Sequence, residues 1–275
     1  MSASSKSNAV TLVECPRDSW QGLTRFIPTG EKVAYLRQLV EAGFTPIDFG
    51  SFVSLKAVPQ MKDTEEVWAG IRDTAGKFIA IIANERGLER ALTADVPAVA
   101  YPFSISETFQ QNNAGATIAE SWSVLQTLQR RSSAARIELD VHLSMGFGNP
   151  YNEPWSVALV ADAVSRIREL GVQSVMLADT IGCATPAQIG EVFAACPGTG
   201  AHFHASPAKW RANVEAALAA GCARVDSALG GIGGCPFAQD ELVGNVPTEG
   251  VRELLGMPTD KTVLAEAHRL YRDYH

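Results

Sequence analysis

The chain has no run of lysine or arginine. Its 23 basic residues are scattered among 30 acidic ones, for a formal charge of −7. Without such a run there is no footprint for the sequence-independent attraction that nucleic acids and anionic membranes require, so neither is expected as a partner. Long apolar runs are missing too, because glycine, proline or a charge interrupts each one well before the roughly 18 residues of a membrane-spanning helix. Cysteine is sparse: Cys15, Cys183, Cys196, Cys222 and Cys235 are an odd number, widely spaced, with no Cys-x-x-Cys pair. That argues against a disulfide framework or structural zinc and points to a reducing compartment. The opening MSASSKSNAV lacks the apolar core of a secretory signal. Residues 1–9 therefore read as a short disordered leader, and a cytoplasmic location is expected.

With 46% hydrophobic and 19% charged residues, the remainder can build a sizeable core. Short β-branched or apolar runs alternate about eight times with stretches at helical spacing. The candidate strands are 10–14, 46–49, 78–83, 98–101, 136–142, 174–177, 200–204 and 224–227. The candidate helices are 31–42, 64–74, 86–94, 119–131, 156–170, 186–195, 207–220, 249–255 and 261–274. Gly43, Gly171 and Gly221 follow three of these helices as left-handed caps would. Repeated βα units need parallel strands covered by helices on the outside, so the class is α/β. An open sheet for dinucleotides would carry a glycine-rich loop after its first strand, whereas Glu14-Cys15-Pro16-Arg17-Asp18-Ser19 has no glycine. A (β/α)8 TIM barrel over residues 10–275, one domain ending in C-terminal helices, is the expectation.

In such a barrel, polar residues just after the strands line the active site. They are Arg17, Asp18, Asp48, His142, Asp179, Thr180, His202, His204 and Asp226. His202 and His204 sit two apart on one strand, so both imidazoles face the same side and can share one divalent cation. Asp18 is the nearest carboxylate by topology, and without a third His or Cys the set suits Mg2+ or Mn2+ better than catalytic zinc. The alternative is a pair of structural histidines. The loop Gly230-Gly231-Ile232-Gly233-Gly234-Cys235-Pro236 could bring a thiol over the pocket or be a plain βα turn. Arg17 could equally be a surface cation, and Asp179-Thr180 a helix cap.

The runs Glu14-Cys15-Pro16-Arg17-Asp18-Ser19-Trp20-Gln21 and Ser51-Phe52-Val53-Ser54-Leu55-Lys56-Ala57-Val58-Pro59-Gln60-Met61 resemble 3-hydroxy-3-methylglutaryl-CoA lyase and its relatives, a branch of the metal-dependent lyase barrels. So do Leu177-Ala178-Asp179-Thr180-Ile181-Gly182, His202-Phe203-His204, the glycine-cysteine loop through Ala238, and Gly244-Asn245. The resemblance spans about residues 10 to 255. It implies Mg2+ or Mn2+ held by Asp18, His202, His204 and Asn245, with Arg17 and Cys235 as catalytic partners and Asp48 supporting Arg17. Gln21, His142, Met176, Asp179, Thr180 and Ala205 are then the substrate-facing positions.

The implied reaction cleaves a 3-hydroxyacyl-CoA to acetyl-CoA and a keto product, so the expected partner is a small molecule, most simply an acyl-CoA. A homodimer is compatible with barrels of this size. Several positions depart from the family pattern. Asp48 stands where the family has glutamate, and the shorter side chain is expected to disturb its support of Arg17. His142 replaces a tyrosine, Met176 a small polar residue, and Ala205 an aspartate beside the second histidine. Residues 239–243 carry two extra carboxylates, Asp240 and Glu241. Four retained ligands with an altered surround suggest the same metal chemistry on a hydroxymethylglutaryl or related acyl group. The rival readings are an aldolase acting on a hydroxy acid without coenzyme A, a condensing enzyme run in the opposite direction, and a non-catalytic binding barrel.

Overall fold

The computed structural model describes residues 10–54, 56, 58–233 and 244–275. Cys235, Asp240 and Glu241 lie outside the described residues, as does the 1–9 leader.

Eight parallel strands close on themselves: β1 (Thr11–Glu14), β2 (Ile47–Ser51), β3 (Phe78–Ile81), β4 (Ala98–Ser104), β5 (Glu138–Ser144), β6 (Ser174–Asp179), β7 (Gly200–Ala205) and β8 (Arg224–Ser227). Each pairs with its sequence neighbour, and β8 pairs back onto β1 with Thr11 opposite Arg224 and Glu14 opposite Ser227. The result is the TIM barrel expected from the alternation. A ninth strand, β9 (Gly244–Asn245), lies antiparallel on β7 and sets Asn245 opposite His204.

The helices are α1 (Pro16–Trp20), α2 (Thr29–Glu41), α3 (Thr64–Ile71), α4 (Glu85–Ala94), α5 (Glu107–Ala114), α6 (Ile118–Ala135), α7 (Val157–Glu169), α8 (Pro186–Ala195), α9 (Trp210–Ala219), α10 (Thr248–Leu254) and α11 (Lys261–Tyr274). Local chemistry starts them. Thr117 and Glu120 form a reciprocal capping box on α6, and Ser156 and Thr185 cap α7 and α8 through their hydroxyls. Each such cap stabilises its helix by about 1 kcal/mol. Their apolar faces, with Leu125 and Leu128 of α6 and Val160, Val164 and Ile167 of α7, pack onto the outward side chains of the strands. No helix among the described residues is long and apolar enough to cross a membrane.

Two kinds of side chain fill the barrel itself. Val13, Cys15, Ile79, Ile81, Ala98 and Ala100 make a small apolar cluster separate from the main core. Opposite them Asp140, His202, Arg224 and Asp226 are mostly or fully buried and bound to one another, with His142 buried beside them. Gly200 belongs here by necessity: a Cβ on it would lie 2.4 Å from the Met176 sulfur, which occupies that space.

The expected element boundaries shift in an instructive way. β5 starts at Glu138, not 136, because Arg136 adopts a left-handed conformation (φ 60°) at the end of α6. The strands β2, β4, β5, β6 and β7 each run one to three residues past the end of their apolar pattern. Residues 207–209 form a turn before α9 begins at Trp210. Helices α1 and α5 and strand β9 were not expected at all.

Candidate active site at the barrel mouth

The chain leaves β1 through Cys15 and turns at once into α1, with Pro16 at its first position, where a missing N–H costs nothing. This one-turn helix drops Arg17 and Asp18 into the barrel mouth, where both are buried, at 7% and 3% exposure. The surface-cation reading of Arg17 is thereby excluded. Its Nε donates to Asp48 Oδ2 at 3.0 Å and its Nη2 to the same oxygen at 2.5 Å. Nη1 donates to Asp18 Oδ1 at 2.8 Å and to Gln21 Oε1 at 3.0 Å. The shorter Asp48, expected to disturb its support of Arg17, still makes the contact. The long arginine side chain closes the gap, and the guanidinium fork still finds the carboxylate with two of its nitrogens.

Asp18 spends one oxygen on this network: Oδ1 accepts from Arg17 and, at 2.5 Å, from Gln21 Nε2. Its other oxygen, Oδ2, is buried with no hydrogen-bond partner. Strand alternation on β7 turns His202 and His204 toward it, with ring centroids 5.1 Å apart. One ligand atom from each of Asp18, His202 and His204 lies within 4.8 Å of the others. His202 Nδ1 meets Asp226 Oδ2 at 3.2 Å, which leaves Nε2 as its remaining ring nitrogen. His204 Nδ1 has no partner.

Asn245 is set beside the cluster by its pairing with His204 and by the Ile232 carbonyl. The Ile232 carbonyl accepts from Ser19 Oγ at 3.0 Å and from Asn245 Nδ2 at 2.8 Å, tying α1 to β9. The contact needs Gly233, whose φ is +92° and whose Cβ, if present, would lie 2.7 Å from the Asp18 carbonyl oxygen and from Ser19 Cα.

An orphaned carboxylate oxygen, two imidazoles and an amide oxygen at one buried point are the donor set of a divalent cation. The residues present therefore fit a metal.

Charge in the mouth is set by neighbours. Burial alone would raise the Asp18 carboxyl, but Arg17, His204 and His202 outweigh it and hold it at about 2. Asp48 is raised, because burial outweighs the help from Arg17. Burial lowers His204 to about 4 and His142 to about 3, so both are neutral at pH 7, the form in which an imidazole nitrogen can ligate. Burial also works against His202, but the bond to Asp226 and that residue's charge raise it.

Beneath the mouth, Asp226 Oδ1 accepts from Arg224 Nε at 2.8 Å, and Arg224 Nη1 donates to Asp140. His142 Nε2 stands 3.8 Å from Asp226 Oδ2 without a hydrogen bond. Asp226 was among the candidates read from the sequence, but Arg224 and Asp140 were not. Arg224 is two residues before Asp226 on a strand and so shares its inward face, a signal that was available.

Four candidates are placed elsewhere. Asp179 accepts from the backbone N–H of Cys183 and of Ala184, both at 3.0 Å, and so anchors the turn after β6. Thr180 Oγ1 accepts from the Met145 N–H. The cap of α8 is Thr185, not Asp179 or Thr180. Met176 packs on Gly200, one inward-facing level below His202, and Ala205 alternates to the far side of β7 from the histidines.

Residues 10–263 match the HMGL-like family. The chain belongs to the HMGL-like family of lyases. It is 33% identical over 261 residues to a hydroxymethylglutaryl-CoA lyase of Bacillus subtilis, covering 92% of this chain and 87% of the relative. A Bacillus subtilis HMG-CoA lyase structure superposes with a TM-score of 0.90 at 30% identity, covering 97% and 94% of the two chains. The structure of an HMG-CoA lyase from Acinetobacter baumannii in complex with coenzyme A and 3-methylmalate gives 0.87 at 32% identity, covering 98% and 91%. Metal dependence goes with this family, in agreement with the donor set at the barrel mouth.

Proposed function

We propose that this lyase cleaves a 3-hydroxy-3-methylglutaryl thioester of coenzyme A, or a closely related 3-hydroxyacyl-CoA, to acetyl-CoA and a keto product. The observation that carries the reading is the unpartnered Asp18 Oδ2 facing His202 and His204 in a buried mouth. Asp18, His202, His204 and Asn245 would hold Mg2+ or Mn2+. Bound there, the ion would chelate the substrate's 3-hydroxyl and lower its pKa.

The chain's own residues account for the rest. Asp226 accepts from His202 Nδ1 and so fixes the ring orientation that a ligating imidazole needs. Arg17, held on both sides by Asp48 and Gln21, is preorganised to donate to the thioester oxygen as negative charge develops on it. A donor of this kind is worth about 3 kcal/mol or more in the transition state. As a base at the mouth takes the hydroxyl proton, the C2–C3 bond breaks, its electron pair passes to the acetyl-CoA enolate, and C3 becomes a carbonyl; the proton taken up there balances the one later given to the enolate carbon. The enolate carbon then takes a proton, a role we assign to Cys235 from the family resemblance. His142, buried and neutral with Nε2 unpartnered, is the residue expected to tell one acyl group from another.

Incubation with hydroxymethylglutaryl-CoA and Mg2+ tests the reading. Acetyl-CoA and acetoacetate should form in equal amounts. Absence of acetoacetate would remove that substrate, and the same assay across a panel of 3-hydroxyacyl-CoAs would then identify the acyl group or leave no substrate of this class.

A further inference from the structure

Two cation sites overlap in this barrel, and they share a histidine. The upper one is Asp18, His202 and His204. The lower one is His142, His202 and Asp226, whose ligand atoms also lie within 4.8 Å of one another. All the lower ligands are buried, and His142 Nε2 lacks a hydrogen-bond partner. On donor chemistry alone, two imidazoles and a carboxylate would take a divalent ion as readily as the upper set does.

The two sites differ in the arginine beside them. In the upper site Arg17 engages Asp18 through Oδ1 only, and Oδ2 stays free. In the lower site both Asp226 oxygens are committed. Oδ1 accepts from Arg224 Nε, and Oδ2 faces His202 Nδ1. The other arm of Arg224 is fastened to Asp140 on β5, three strands away around the barrel, so the guanidinium bridges two carboxylates and cannot swing away without losing both contacts.

We infer that Arg224, pinned between Asp140 and Asp226, is a positioning residue that closes the lower of two overlapping divalent-cation sites and commits His202 to the upper one. The inference rests on the metal reading above and goes beyond it. Arg224 supplies the positive charge that the lower carboxylates need, so a second ion there would meet a fixed cation on its own ligand. With Asp226 neutralised in this way, its second oxygen serves only to hold the His202 ring. Taking the charge away leaves Asp140 and Asp226 as two buried carboxylates beside an unpartnered imidazole, an arrangement that recruits a cation.

The test is Mn2+ stoichiometry by equilibrium dialysis, with electron paramagnetic resonance, on the purified full-length chain. Wild type should bind one Mn2+ per chain. Arg224→Gln keeps hydrogen-bond donors between the two carboxylates while removing the charge, and Arg224→Met removes both. Each neutral variant should bind two Mn2+, a twofold rise, the second held by Asp140, Asp226 and His142 while His202 keeps its one free nitrogen for the upper ion, with spectral broadening from spin coupling between neighbouring ions. Arg224→Lys retains a cation and should return the ratio to one. Adding His142→Ala to Arg224→Gln should abolish the second ion. Should Arg224→Met fail to fold, Arg224→Gln and its His142→Ala derivative carry the test. One Mn2+ per chain in Arg224→Gln, with wild-type affinity and spectrum, would overturn the inference. A wild-type chain that binds no Mn2+ would instead overturn the metal reading, so the two failures are distinguishable.

Discussion

Glu14 and Asp18 lie four residues apart, both buried to within 3% of full enclosure, and they end in opposite charge states. Asp18 is in the barrel mouth. Burial would raise its carboxyl, yet Arg17, His204 and His202 hold it at about 2. Glu14 points the other way, into the seam between the barrel and the C-terminal helices. It accepts from the Leu229 N–H at 2.9 Å and from the Thr248 hydroxyl, with Tyr35 nearby. There burial wins: it raises Glu14 to about 8 against both hydrogen bonds, Glu249 adds repulsion, and Arg252 helps only weakly. Equal enclosure thus gives a charged carboxylate where cationic partners are built in and a neutral one where they are not. The mouth keeps its charge available for chemistry, whereas the seam holds the turn that starts the glycine loop with a carboxyl that is neutral at pH 7.

The largest effect expected is at the mouth. Asp18→Ala or His204→Ala should lower turnover roughly a thousandfold or more, equivalent to about 4 kcal/mol, and metal analysis should show the ion lost as well. Turnover near wild type in either would show that the mouth's charge is not used. Next, Arg17→Met should cost roughly a hundredfold in kcat while metal content is unchanged, because the arginine is assigned to the developing charge and not to the ion. Asp48→Asn removes only the anion behind Arg17, so a loss of about tenfold is expected, in line with one charge-assisted hydrogen bond. A loss as large as that of Arg17→Met would place Asp48 in direct contact with substrate.

The smallest effect, and one with a pH signature, belongs to the seam. Glu14 has a folded pKa of about 8, above its ordinary value of 4.5. Its contribution to stability is therefore complete below pH 4.5 and is lost as pH rises through about 8. Glu14→Gln cannot ionise, so its melting temperature should gain on wild type between pH 5 and pH 8 and keep a constant lead above. Each kcal/mol should appear as about 2–4 °C. Turnover at pH 7 should stay within about twofold. A lead that shrinks with rising pH would mean that Glu14 is ionised in the folded protein.

Much of this was legible in the sequence, and the failures share a cause. Apolar alternation marked every barrel strand but ended early on five of them. Four of them end on a polar residue, Ser51, Ser104, Ser144 and Asp179, so the hydrophobic signal fades at the mouth end of the strand, whereas β7 gains only Ala205. His202, His204 and Asp18 could be read from strand alternation and barrel closure. Asn245 came only from the family resemblance, since its place depends on a two-residue strand and on the Ile232 carbonyl. Arg224 and Asp140 are 84 residues apart, one opening β8 and the other two residues into β5, far from the carboxyl ends that line the mouth. Asp179 and Thr180 carried the right polarity but spend it on loop backbone.

The central claim is that one divalent ion sits between Asp18, His202, His204 and Asn245. Anomalous diffraction from crystals of the wild-type protein grown with Mn2+ tests it directly. A single strong peak within bonding distance of Asp18 Oδ2 and of both imidazoles is the predicted result. An empty mouth at saturating Mn2+, or a peak centred instead on Asp226 and His142, would contradict it.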